Sequence, residues 1–81
     1  MEVSFIGSVQ CLTAQIHYYL LSEQISEGMQ YGVRAELEGE EMELPALSSS
    51  QERVQELLEV LMRGQVTPAA LRDVVEDWLL I

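Results

Sequence analysis

Two amphipathic stripes in the C-terminal third, Ser48 to Leu80, constrain this chain more than anything else in it. Val54, Leu57, Leu58 and Leu61 recur at i, i+3, i+4 and i+7. Leu71, Val74, Val75, Trp78 and Leu79 repeat that pattern and carry it to i+8. The period is helical, and each stripe is one apolar face. Ser49 and Glu52 have the spacing of a capping box at the first helix start. Arg63 suits the last turn, and Gly64 is placed to end the helix in the left-handed conformation. Thr67 then caps a second helix with Pro68 at its first position, where no amide hydrogen is needed. Val66 and Leu71 have the spacing of a hydrophobic staple across that cap. So short a connection makes the two helices antiparallel neighbours.

A helical hairpin of this size cannot repay the entropy of ordering itself and needs an apolar surface to sit on. The preceding chain supplies one. Leu12, Ala14, Ile16, Tyr18 and Leu20 alternate with Thr13, Gln15, His17, Tyr19 and Leu21. Met29, Tyr31, Val33, Ala35 and Leu37 alternate with mostly polar partners, and Met42 and Leu44 continue after Glu38-Gly39-Glu40. Alternation of this kind is the period of strands. Glu23–Gly28 and Glu38–Glu40 read as turns, with Gly39 able to take positive φ. Pro45 suits a strand end or edge, and Gly32, inside a strand, marks a bulge or a close approach by Tyr19 or Tyr31. Gly7 and Ser8 interrupt the apolar residues at the start, so residues 1–10 are expected as an arm or a short edge strand. Residues 11–81 are expected as one α+β domain. Its architecture is a three-stranded antiparallel meander followed by a two-helix hairpin packed on one face. Trp78 is expected to be buried between the first helix and the sheet.

Fourteen acidic residues against four arginines leave a net charge of −10, with no lysine. That balance argues against direct binding to nucleic acid or an anionic membrane. Cys11 is the only cysteine, so no internal disulfide framework exists, which favours a cytoplasmic location. Glu2 and the missing basic start argue against a signal peptide, and no apolar run is long enough to span a bilayer.

Tyr31-Gly32-Val33, Ser49-Ser50-Gln51-Glu52 and above all the run from Thr67 to Leu79 (TPAALRDVVEDWL) resemble a family of small bacterial proteins of unknown function, found largely in anaerobic Gram-positive bacteria. The resemblance covers Ile16 to Leu80. It implies a bacterial, cytoplasmic origin and brings no activity, ligand or site residues.

The chemistry-bearing residues are few. His17 is the only histidine, and on a single strand it would stand about 20 Å from Cys11. One His and one Cys cannot make a structural zinc site. The acidic run Glu38, Glu40, Glu41 and Glu43 lacks a calcium-loop pattern. No catalytic, cofactor or metal residue is therefore assigned. Asp73, Glu76 and Asp77 fall on the flank and back of the second helix, and two of them sit near its C-terminal end, where their charge opposes the dipole slightly and a partner's cation would relieve the misfit. His17, Tyr19, Leu21 and Arg34 share the strand face turned away from the helices, and its apolar content suggests a partner or a weak homodimer. The expected function is a non-enzymatic protein-binding or regulatory module with an unknown protein partner, for which the chain's acidity favours a basic one. The alternatives are an acidic decoy of a basic or nucleic-acid-binding protein and a small hydrolase using the second-helix carboxylates.

Overall fold

The computed structural model describes residues 1–80. Four strands, β1 (Glu2–Cys11), β2 (Ala14–Ile25), β3 (Gly28–Leu37) and β4 (Glu40–Ser48), precede two helices, α1 (Gln51–Arg63) and α2 (Pro68–Leu79). The strands form one antiparallel meander in the order β1-β2-β3-β4. The α+β class and the helix pair are as the sequence predicts, but the sheet has four strands and not three. The N-terminal segment is a full edge strand paired with β2 from Glu2↔Ser22 to Cys11↔Ala14. The Gly7-Ser8 interruption is a bulge: Phe5 pairs with Tyr19 and Gly7 with Tyr18, leaving Ile6 over. An extra residue flips the faces of everything beyond it. Val3 and Phe5 therefore face away from the helices, while Val9 packs on the core beside them.

Leu12 is not a strand residue. Together with Thr13 it makes the β1–β2 turn, at φ 54 and 93% exposed, so it leaves the apolar face assigned to it. Cys11 and His17 consequently stand on different strands. Cys11 packs on the core, and His17 pairs with Ser8 on the opposite face. The β3–β4 turn has Glu38 at φ 48 and Gly39 at φ 86, the two positive values of a type I′ hairpin turn. Between Tyr31↔Ser48 and Val33↔Leu44, three residues of β4 oppose the single Gly32. A β-carbon on Gly32 would lie 2.6 Å from Pro45 Cα and against the Leu44 carbonyl oxygen. The close approach foreseen at Gly32 is thus made by β4 backbone and not by a tyrosine.

Ile16, Tyr18, Leu20, Val33 and Ala35 form the covered sheet face. Against them pack Val54, Leu57, Leu58 and Leu61 of α1, and Leu71 and Val75 of α2. The cap of α1 lies one residue later than the capping box implies. Ser50 Oγ accepts from the Arg53 amide at 3.3 Å, and Ser48 Oγ accepts from the Ser50 amide at 3.0 Å. Ser48 thereby does for the cap residue what a glutamate does in a capping box. The stop is displaced too. Gly64 sits at φ −86, and Gln65 takes the left-handed position at φ 51. Gln65 N–H donates to Met62 O and Val66 N–H to Leu61 O, the bond pair of a Schellman motif. Thr67 and Pro68 occupy the expected cap and first positions of α2, although no hydrogen bond comes from the Thr67 side chain.

Trp78 is half-buried at the edge of the core and not enclosed within it. The guanidinium of Arg53 lies over its ring, 4.8 Å from the centroid. That places a cation of α1 at the C-terminal end of α2, where the dipole favours positive charge. Among the described residues no helix is long and apolar enough to cross a membrane.

Candidate partner-binding face

The helices cover one side of the sheet; the other side carries the candidate site. Strand registers assemble it into rows. Phe5 pairs with Tyr19, Tyr19 with Arg34 and Arg34 with Glu43, so one row crosses all four strands as aromatic, aromatic, cation and anion. The next row is Ser8, His17, Glu36 and Glu41.

Side chains interlock along and between these rows. The Phe5 ring meets Tyr19 edge-on at 5.5 Å and His17 at 6.0 Å between centroids. Arg34 lies over the Tyr19 ring, 5.5 Å from its centroid, and the Tyr19 hydroxyl donates to Glu36 Oε1 at 3.2 Å. Arg34 Nη2 donates to Glu36 and, at 2.5 Å, to Glu41, while Nη1 stands 3.6 Å from Glu43. One cation thus answers three carboxylates, and the hydrogen bond to Glu36 leads the causes that hold the Arg34 pKa above its already high value. Desolvation, followed by the bond to Glu36, raises the Tyr19 phenol pKa. Where the β3–β4 hairpin ends, His17, Glu36, Glu38, Gly39, Glu40 and Glu41 surround a shallow depression of about 250 Å³.

Of the residues that sequence reasoning picked for this face, His17, Tyr19 and Arg34 come together there, each half-buried. Leu21 does not serve as an exposed contact. It is 1% exposed, in register between Val3 and Gly32, and so cannot supply contact area. The accessible apolar surface comes instead from β1, where Val3, Phe5 and Ile6 are 45%, 58% and 38% exposed. Sequence reasoning missed Phe5 because its membership depends on pairing β1 with β2. Asp73, Glu76 and Asp77 are exposed on α2 and take no part in the face. Among the described residues the ion pairs all converge on Arg34, so Arg72 and Glu76 make no contact of that kind.

The row Ser8–His17–Glu36 sets a hydroxyl, an imidazole and a carboxylate side by side. Nucleophilic catalysis would need hydrogen bonds along that row. Glu36 accepts from Tyr19 on one oxygen and from Arg34 on the other, and among the described residues no hydrogen bond joins His17 to Ser8 or to Glu36. Among the described residues no group of three His, Cys, Asp or Glu side chains is arranged to hold a metal ion.

The fold and this face define a small acidic α+β domain with an aromatic and carboxylate-rich sheet surface. The chain belongs to a family of unknown function, DUF6514, which it matches over residues 6–80. Comparison with curated proteins and with solved structures found no match.

Proposed function

We propose that this domain is a non-enzymatic protein-binding module that works through the helix-free face of its sheet. The observation that carries the reading is the row Phe5–Tyr19–Arg34–Glu43. It is held by stacking and ion pairing, yet leaves Phe5 58% exposed at its β1 end, with the carboxylates of β3 and β4 at the other end. A rigid aromatic anchor next to charge is the composition that binding hot spots favour. The partner it fits presents an apolar patch beside a cation. The apolar part would seat on Val3 and Phe5, and the cation would enter the depression among Glu36, Glu38, Glu40 and Glu41. The net charge of −10 would steer such a partner in and speed its association at low salt.

Site-specific photo-crosslinking in the native host tests this. A crosslinker at Phe5 should give one discrete protein adduct, and the same group at exposed Gln55 on α1 should give none. Charge reversal at Glu38 and Glu40 should remove the Phe5 adduct. Adducts of equal yield from both positions, or none from Phe5, refute the assignment. The acidic-decoy reading is a special case in which the partner's cationic site is its own nucleic-acid-binding surface. An adduct that competes with nucleic acid for the partner would favour it.

A further inference from the structure

The sheet has two free edges, β1 and β4, and they are built differently. β4 is guarded against adding another strand. It carries Pro45, which has no amide to donate, the three-residue bulge opposite Gly32, Ala46 at φ 56, and the charges of Glu40, Glu41 and Glu43. Each of these discourages edge-to-edge pairing. β1 has less of that protection, although it too carries a bulge, at Ile6. It runs for ten residues without proline, lysine or arginine, and its single charge is Glu2 at the very start. Val3, Phe5 and Ile6 are exposed along it.

We propose that β1 pairs antiparallel with β1 of a second copy of this chain, across a two-fold axis perpendicular to the sheet. Two four-stranded meanders would then join as one continuous eight-stranded sheet. Charge points to a copy of the chain as the occupant. A chain of net charge −10 repels its copies almost everywhere, and of its two edge strands β1 holds one of the fourteen acidic residues while β4 holds three. A basic peptide, which the rest of the surface attracts, finds little to pair with here.

The bulge at Ile6 selects the register. Val3 and Phe5 face away from the helices before it, as Ser8 and Gln10 do after it, while Val9 faces the helices. Antiparallel copies match face to face when Phe5 meets Ser8, Val3 meets Gln10 and Ser4 meets Val9. Glu2 then meets Cys11, so no like charges oppose each other. The same patch is used on both copies, as a two-fold interface requires. This pairing stands whether or not the sheet face binds a heterologous partner.

Sedimentation of the full chain across concentration, at low and high salt, tests it together with amide hydrogen exchange. The expected result is a dimer that strengthens with salt, because screening weakens repulsion between two acidic copies. Exchange should slow with concentration at alternate β1 amides and nowhere else. Ile6→Lys, a charge on the edge, should weaken association by on the order of tenfold or more while leaving the thermal melt unchanged. Should that variant unfold, concentration-dependent exchange on the natural chain decides alone. A chain that stays monomeric at its solubility limit in high salt overturns the proposal. So does a dimer that weakens with salt, survives Ile6→Lys in folded form, or gains protection outside β1.

Discussion

The hydroxyl of Tyr18 donates to the carbonyl oxygen of Val66 at 2.6 Å, tying the centre of the sheet to the connection between the two helices. Tyr18 is fully buried, and its bond spans 48 residues of sequence. Burial, with a smaller contribution from Cys11, pushes its phenol from 10.0 up to about 12. The folded chain therefore keeps a proton that the unfolded chain releases. Stability from this group is whole below pH 10 and drains away as pH rises from 10 to about 12. Tyr19, also held above its ordinary value, acts in the same direction. Tyr18→Phe strands the Val66 carbonyl and should cost about 1–3 kcal/mol at neutral pH. The gap between variant and natural chain should narrow above pH 10. Urea unfolding across that range measures it, and a gap that stays constant means another group titrates.

Gly32 is held to glycine by backbone, which cannot rotate out of the way. An added β-carbon would collide with Pro45 Cα and the Leu44 carbonyl. Gly32→Ala should cost about 3 kcal/mol or more and release the end of β4 from the sheet. Gly39→Ala meets no neighbour and strains only its φ of 86, so about 1 kcal/mol is expected there. Denaturant melts of the two variants should rank in that order. Equal losses would mean that β4 does not approach Gly32 as described.

The helices were legible in sequence because their stripes, Pro68 and the flanking polar residues all point to one answer. Their ends were legible only to within a residue. Ser48, Ser49 and Ser50 offer similar hydroxyls, and the choice of Ser50 depends on Ser48 accepting its amide. The core face of β2 and β3 followed from alternation at Ile16, Tyr18, Leu20, Val33 and Ala35. β1 did not, because the bulge at Ile6 puts Phe5 and Val9 on opposite faces and no period-2 template spans the break. Leucine gives no hint of the left-handed turn at Leu12. The candidate face was half-visible: Tyr19 shares a parity with His17 on β2, and Arg34 alternates with Val33 and Ala35 on β3. Phe5, Glu43 and Glu41 join them only through strand registers, which pairing decides and sequence spacing does not.

The helix stop offers a clean exchange. Gln65 holds the left-handed position at φ 51, while its neighbour Gly64 sits at an ordinary φ of −86. A side chain in the left-handed region costs roughly 1–2 kcal/mol, and glycine's extra freedom in the unfolded chain returns part of it. Gln65→Gly should therefore raise stability by about 0.5–1 kcal/mol. Gly64→Ala should be neutral or slightly favourable, since its β-carbon would make ordinary contacts with Val60 O and Val66 Cγ2. Thermal melts of both variants decide. A loss at Gln65→Gly would place the stop at Gly64 after all.

Arg34 is the electrostatic keystone of the sheet face. Glu36 lies directly across from Glu41, and Arg34 across from Glu43. Like charges directly opposite one another on neighbouring strands are destabilising. Arg34 contacts all three carboxylates, with its side chain only 21% exposed, so Arg34→Met leaves them facing each other unanswered. The expected loss is roughly 1–2 kcal/mol at low salt, a modest sum because these pairs are partly solvated. Added salt should shrink it, since screening weakens repulsion among exposed carboxylates. Arg34→Lys keeps the charge but lacks the planar fork that reaches several acceptors, so it should recover only part of the stability. The Phe5–Tyr19 contact reports on the same network. With Arg34 gone, the Tyr19 ring loses its cation, and aromatic NMR shifts of Phe5 and Tyr19 should move together. A variant as stable as the natural chain at low salt, or a loss that salt leaves untouched, would mean that Arg34 decorates this face without holding it.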